Sequence, residues 1–243
     1  MNLVIDVGNT LVKLAVFKEN EFLEKQVVEQ RELVEAVNKL KQTFNTINRA
    51  IISSVAKLDK STISDLKEQL ELLVVDSNTN FPFKNLYQTP KTLGVDRIGL
   101  VCAAVNEFPE KNTLIIDAGT CITYDFVTNK HEYLGGAISP GLRMRYKSLH
   151  NQTANLPLLE TEKPKSITGN STINSIHSGV VYGVLNEIEG IILNYQQKYP
   201  DLTVILTGGD CNFLSNQLKS TIFVNQNFLL EGLNQILLYN SNE

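Results

Sequence analysis

The chain carries one pattern twice, and that repeat restricts its fold more than any other feature. Near the start it reads Leu3-Val-Ile-Asp6-Val7-Gly8-Asn9-Thr10-Leu11-Val12-Lys13, and near the middle Leu114-Ile-Ile-Asp117-Ala-Gly119-Thr120-Cys121-Ile-Thr-Tyr-Asp125. Each copy is an apolar run, an Asp-x-Gly with a hydroxyl residue, and a second β-rich run. Such a segment folds as two strands joined by a tight hairpin. Glycine there permits positive φ or close backbone approach, and the turn amides and hydroxyl can face a phosphate. An aspartate held at a strand end can bind a cation directly or through water. Asp-Gly turns also join strands in many β proteins that bind nothing. Two copies in matching strand contexts, with a lysine after the first, favour phosphate chemistry. Two such hairpins facing each other would form a nucleotide cleft between duplicated halves.

The apolar periodicity predicts strands at 2–7, 11–18 and 21–28. A helix is expected at 30–44, where Leu33, Val37, Leu40 and Phe44 recur at helical spacing. A strand at 50–54, a helix at 57–70 and a strand at 72–75 follow, then a loop region over 76–94 and a helix at 95–107. The second half restarts with strands at 113–117, 121–127 and 131–138, a turn at Ser139-Pro140-Gly141 and a helix from Leu142. Residues 151–171 read as irregular. A long helix is expected from Thr172 to about Tyr199, then a strand at 203–206, a helix, and a terminal helix at 227–239. Gly179, Gly183 and Gly190 interrupt the long helix, and residues this small permit close helix packing, including across a subunit interface. Each half reads as β-β-β-α-β-α-β-α, an α/β protein divided near residue 110 into halves 1–110 and 111–243.

At 243 residues the chain is long enough for one large domain or two small ones. Its net charge of −4, without any basic run, argues against non-specific nucleic-acid binding. No apolar stretch approaches the ~20 residues a membrane span needs. The first residues enter a strand at once, with no basic segment or cleavage site, so a cytoplasmic location is expected. Cys102, Cys121 and Cys211 match neither a disulfide framework nor a zinc pattern and are expected to be reduced, buried thiols. His131, His150 and His177 share no metal-ligand spacing.

Several side chains can carry chemistry. Lys13, on the strand leaving the first turn, is either a solvated strand residue or a point charge for phosphate oxygens. Asp6 is flanked by apolar residues, and a buried carboxylate needs partners that a magnesium–phosphate group would supply. In Leu93-Gly94-Val95-Asp96-Arg97, the acid and base start a helix. They can serve simply as a dipole-favoured residue and a surface charge. They can also act on a ligand, the carboxylate taking a hydroxyl proton while the guanidinium holds an acidic substrate. Gly135-Gly136-Ala-Ile-Ser-Pro140-Gly141 either passes close to a ligand or merely links strand to helix. Thr207-Gly208-Gly209-Asp210 suits an adenine or ribose contact as well as an ordinary strand–turn–helix junction. Gly169-Asn-Ser-Thr172 has the form of a helix N-cap.

Taken in order, Asp6-x-Gly-Asn-Thr-x-x-Lys13, Tyr87, Gly94-x-Asp-Arg97, Asp117-x-Gly-Thr120, Gly135-Gly-x-Ile-x-Pro-Gly141 and Thr172 resemble the type III pantothenate kinases over nearly the whole chain. The resemblance implies an actin-like, hexokinase-like fold of two duplicated ribonuclease-H-like domains. It also implies ATP-dependent phosphorylation of the 4′-hydroxyl of pantothenate, the first step towards coenzyme A. On this resemblance Asp6, Val7, Gly8, Asn9, Thr10, Leu11, Val12 and Lys13 bind the ATP phosphates, with Thr120 contributing from the second hairpin. Asp96 is the implied proton acceptor. Tyr87, Gly94, Val95, Asp96, Arg97 and Thr172 hold pantothenate. Asp117 takes a potassium or ammonium ion, magnesium arrives with ATP near Asp6, and the protein is a homodimer. The competing expectations are another small-molecule kinase of the same superfamily and a non-catalytic nucleotide-binding accessory protein. Two positions depart from the family pattern: Cys121 stands where alanine is common, and Thr89 where asparagine often precedes the proline.

Overall fold

The computed structural model describes residues 1–8, 11–54, 58–76 and 79–241, with Ser54 described through its backbone alone. In chain order the elements begin with β1 (Asn2–Val7), β2 (Val12–Lys18), β3 (Glu21–Val28), α1 (Leu33–Thr43), β4 (Arg49–Ser54), α2 (Lys60–Gln69), β5 (Glu71–Val74), β6 (Lys84–Asn85) and α3 (Val95–Glu107). They continue with β7 (Thr113–Ala118), β8 (Cys121–Val127), β9 (Glu132–Pro140), α4 (Leu142–Asn151), α5 (Thr172–Lys198), β10 (Thr203–Thr207), α6 (Cys211–Ser215), β11 (Phe223–Val224) and α7 (Phe228–Ser241). Two compact units result. The first holds Met1–Pro109, His131–Tyr133 and Asn227–Glu243; the second holds Glu110–Lys130 and Leu134–Gln226.

In the first unit the sheet order is β3-β2-β1-β4-β5. β1 pairs antiparallel with β2 and parallel with β4. Strand alternation sends Leu3, Ile5 and Val7 to one face with Val12, Leu14 and Val16, where they pack against Leu33, Val37 and Leu40 of α1 and Leu66 of α2. The alternate residues, Asn2, Val4 and Asp6, take the opposite face together with Lys13. There α7 lies on β1, and the Asn2 side-chain amide donates to Asn234 Oδ1 at 2.9 Å. A Cβ added to Gly232 would sit 1.9 Å from the Gly99 carbonyl oxygen, so α3 and α7 meet backbone to backbone. This contact draws the terminal helix into the first unit, which a single cut near residue 110 does not capture.

The second unit repeats the arrangement. β7 pairs antiparallel with β8 and parallel with β10, as β1 does with β2 and β4. Its sheet includes the order β11-β10-β7-β8-β9. Leu114, Ile116, Ile122, Tyr124, Phe126, Val204 and Leu206 form one face, covered by Leu142 and Tyr146 of α4 and by Ile176, Val180, Val184 and Ile188 of α5. Ser171 caps α5, its hydroxyl accepting from the Asn174 amide at 3.2 Å.

The expected helix at 30–44 begins as a 3-10 turn at Gln30–Glu32, where Glu29 and Glu32 cap each other, before α1 proper. The expected loop at 76–94 contains β6, which pairs in parallel with Glu132 and Tyr133. Ser139 and Pro140 extend β9 instead of turning, and the bend falls at Gly141, the N-cap of α4. Among the described residues no helix is long and apolar enough to cross a membrane.

Candidate active site

In the first unit, Asp6 and Lys13 are direct partners across the β1–β2 ladder and lie on the same face. Lys13 Nζ approaches Asp6 Oδ2 to 3.5 Å, with the lysine half exposed and the carboxylate almost wholly buried. Burial pushes the Asp6 carboxyl above its ordinary range. Lys13 opposes the shift, and the negative charge of Asp96 adds to it. The turn is closed by Gly8 N–H donating to Leu11 O at 3.1 Å. Val7 and Val12 are core residues with no exposure, so only their backbone is open to a ligand, whereas Leu11 is exposed. Asn9 and Thr10 lie outside the described residues. On the other side of Asp6, β4 places Ser53 as its parallel-strand partner, fully buried.

Asp96 sits in the first turn of α3, after the extended N-cap Gly94 and Val95. Its Oδ1 accepts from the Arg97 backbone N–H at 2.8 Å, which turns the carboxylate back over Gly94. Arg97 is buried, and its guanidinium carbon lies 5.5 Å from the centroid of the Tyr87 ring. Tyr87 stacks on the buried Tyr133 at 6.1 Å. A cation within about 6 Å of an aromatic face is attracted by the ring's quadrupole, which helps hold the guanidinium over Tyr87, and its planar fork suits a carboxylate. Tyr133 was not singled out by sequence. It comes from β9, and the short β6 pairing helps bring it beside Tyr87.

In the second unit, Asp117 is the penultimate residue of β7, with Thr123 as its antiparallel partner and Thr207 as its parallel one. The hairpin turn closes through Gly119 N–H donating to Cys121 O at 2.9 Å. Gly141 N–H donates to Thr120 O at 3.1 Å, so the start of α4 rests on this turn. Gly208 has φ +93°, and a Cβ there would lie 2.4 Å from Asp117 Oδ1. Oxygen atoms therefore crowd the end of β7. The Thr123 hydroxyl is buried without a hydrogen-bond partner among the described residues. The two halves thus flank their aspartates differently: a cation and a hydroxyl around Asp6, two hydroxyls around Asp117.

Thr172 opens α5 and lines a groove of about 680 Å³ with Arg145, Leu149, Leu156, Ile176 and Val180. Arg145 is fixed beneath it by Glu187 Oε2 at 2.5 Å, Ser139 Oγ at 2.9 Å and Pro140 O at 2.9 Å, and the Tyr124 hydroxyl donates to Glu187 at 2.8 Å. Burial opposes ionisation of Glu187, but the hydrogen bonds from Arg145, Ser139 and Tyr124 outweigh it and leave the acid below its ordinary range. Burial first, and then Glu187, push the Tyr124 hydroxyl upward.

A family model described as type III pantothenate kinase matches residues 2–194 of this chain. The chain belongs to the type III pantothenate kinase family. It is 54% identical over 243 residues to the type III pantothenate kinase of Christiangramia forsetii, covering 100% of both chains. It is 43% identical over 242 residues to that of Bacteroides fragilis (strain YCH46), covering 99% of each. Among solved structures it is similar to a ROK hexokinase from Thermus thermophilus, with a TM-score of 0.54 at 11% identity over 100% of this chain and 99% of that one. A glucokinase from an Antarctic psychrotroph gives a TM-score of 0.52 at 12% identity over 98% of each chain. These two likenesses concern the fold: this type III pantothenate kinase family member has the two-sheet, ribonuclease-H-like architecture that its internal repeat predicts.

Within this kinase-family chain, the first unit gathers Asp6, Lys13, Asp96, Arg97 and Tyr87, while Asp117, Thr120 and Thr172 belong to the second. Cys102 and Cys211 are buried free thiols as expected, whereas Cys121 is half-buried.

Proposed function

We propose that the protein transfers the terminal phosphoryl group of ATP to the 4′-hydroxyl of pantothenate, entering coenzyme A synthesis. The observation that carries this beyond family membership is the set in the first unit. A buried carboxylate paired with a lysine lies close enough to Asp96 to feel its charge, and the next residue, Arg97, places its guanidinium over Tyr87. Phosphoryl transfer needs little covalent help; positioning and charge neutralisation do most of the work.

In this scheme residues 6–13 receive the nucleotide phosphates, Lys13 as a point charge and Gly8 by allowing close approach to the turn, with Thr120 adding a contact from the second hairpin. Asp6, nearly desolvated and ion-paired with Lys13, suits the magnesium that accompanies ATP, an ion that keeps several waters and takes few carboxylates. Asp96 takes the proton of the attacking hydroxyl as its oxygen bonds to phosphorus and ADP leaves. Its carboxylate is partly exposed and receives one backbone hydrogen bond, leaving lone pairs for that proton. Arg97 pairs with the pantothenate carboxylate, supported by Tyr87, the Gly94–Val95 backbone and Thr172. Asp117, between two threonines, suits a potassium or ammonium ion. A homodimer acting in the cytoplasm completes the proposal.

The test is ADP release from ATP and magnesium, with and without pantothenate, in potassium and in sodium. Pantothenate-dependent release that requires potassium is the expected result. Release indifferent to the monovalent ion would remove the Asp117 role, and release independent of pantothenate would remove the proposed substrate.

A further inference from the structure

Ser53 presents a problem that the scheme above does not absorb. Its side chain has no exposure, and its hydroxyl has no hydrogen-bond partner among the described residues. An orphaned buried hydroxyl is costly, and native proteins rarely keep one without a use. Nothing about its own strand demands it: the preceding residues Ala50, Ile51 and Ile52 are ordinary core residues. Its place in the sheet is specific. Ser53 is the parallel-strand partner of Asp6, Asp6 is the antiparallel partner of Lys13, and the three side chains stand in a row on one face. Neighbouring strands are about 4.8 Å apart, so the hydroxyl stands beside the carboxylate without bonding to it. A group that enters between them can satisfy both.

We infer that Ser53 is a positioning residue for the hydrated divalent cation that arrives with the nucleotide, its hydroxyl accepting a hydrogen bond from a metal-bound water while Asp6 faces the metal. A hydroxyl suits this task better than a second carboxylate. It adds no charge to a buried site that already holds Asp6 with Asp96 nearby, and it can both donate and accept. The inference rests on the proposed role of Asp6 in taking the magnesium of ATP.

The test compares Ser53→Ala and Ser53→Cys with the unaltered protein and with Asp6→Asn. It measures ADP binding by calorimetry across a magnesium titration and with chelator, together with melting of the ligand-free protein. For both serine variants the magnesium concentration for half-maximal enhancement of ADP binding should rise roughly tenfold, the worth of one hydrogen bond to a charged partner. Metal-free ADP binding should stay unchanged. The ligand-free Ser53→Ala protein should melt at the same temperature or higher, because it has lost an orphan. A serine variant with normal magnesium dependence, while Asp6→Asn loses it, would overturn the Ser53 inference and leave the Asp6 role standing. A Ser53→Ala protein that melts lower and binds metal-free ADP equally poorly would mark an ordinary structural hydroxyl and also overturn it. Normal magnesium dependence in Asp6→Asn would remove the premise, and both ideas with it.

Discussion

Gly141→Ala isolates the support beneath the second hairpin. Gly141 has φ −70° and ψ 172°, a backbone conformation open to any residue, so only room decides what can stand there. An added Cβ would lie 2.1 Å from the Gly119 carbonyl oxygen and 2.6 Å from that of Thr120. Ordinary contact begins at 3.4 Å, so the Gly119 carbonyl would have to retreat by about 1.3 Å. Both obstacles are backbone and cannot rotate away. Overpacking costs about 1–3 kcal/mol, and immovable neighbours put this substitution near 3 kcal/mol. For a chain of this size that corresponds to a melting temperature lower by roughly 6–12 °C. Thermal melts should show the loss, and potassium titration of the kinase reaction should show a weakened response, because the same turn carries Thr120 three residues after the cation's proposed ligand. Gly190→Ala is the control. Nothing lies within 4 Å of its Cβ position, and alanine in a helix interior should stabilise by up to about 1 kcal/mol. Normal melting and a normal potassium response in Gly141→Ala would refute the idea that the start of α4 holds this turn.

Asp6→Asn should raise the melting temperature of the ligand-free protein at neutral pH. The folded Asp6 pKa is raised above 3.8 by burial, so its ionised form subtracts stability at neutral pH, and the penalty fades as pH falls through the folded value. The difference between the two proteins in pH-dependent melts should therefore shrink in acid. Glu187→Gln should show the opposite trend. The folded Glu187 pKa lies below 4.5, so its contribution is present above that pH and is lost as pH falls through the folded value. The unaltered protein should out-melt the variant at neutral pH and converge with it in acid. Arg97→Lys loses the stacked fork on Tyr87 and should raise the KM for pantothenate at least tenfold while leaving that for ATP nearly unchanged, read by steady-state kinetics.

The strands and their faces were legible because alternation is a local property: Leu3, Ile5 and Val7 announce one face and Asp6 the other. The long helix was legible from Ile176, Val180, Val184 and Ile188, all buried in the structure. What stayed hidden depended on meetings between distant segments. The two-residue strands β6 and β11 are too short to carry a period, and Ser-Pro-Gly signals a turn by residue type although the strand runs through Pro140. The terminal helix reads correctly as a helix, but only its tertiary contacts, among them the touching backbones of Gly99 and Gly232 and the Asn2–Asn234 bond, say which unit it joins. In the site, Asp6, Lys13 and the Asp96–Arg97 pair stand out by chemistry and order. Tyr133 and Ser53 do not, because an apolar-looking strand position gains meaning only from its neighbour across the sheet. Arg145, Glu187 and Tyr124 are likewise anonymous in sequence and become a network only where α4, α5 and β8 meet.

The proposed role of Asp96 is to accept the hydroxyl proton in a phosphoryl transfer to pantothenate. Single-turnover reactions of preformed protein–ATP–magnesium complex mixed with pantothenate, with the product identified by mass spectrometry, test it most directly. The expected result is 4′-phosphopantothenate from the unaltered protein, and a rate about 10²–10⁴-fold lower from Asp96→Asn with ATP affinity retained. An Asp96→Asn protein that forms the product at the normal rate, or an unaltered protein that turns over ATP without phosphorylating pantothenate, would contradict it.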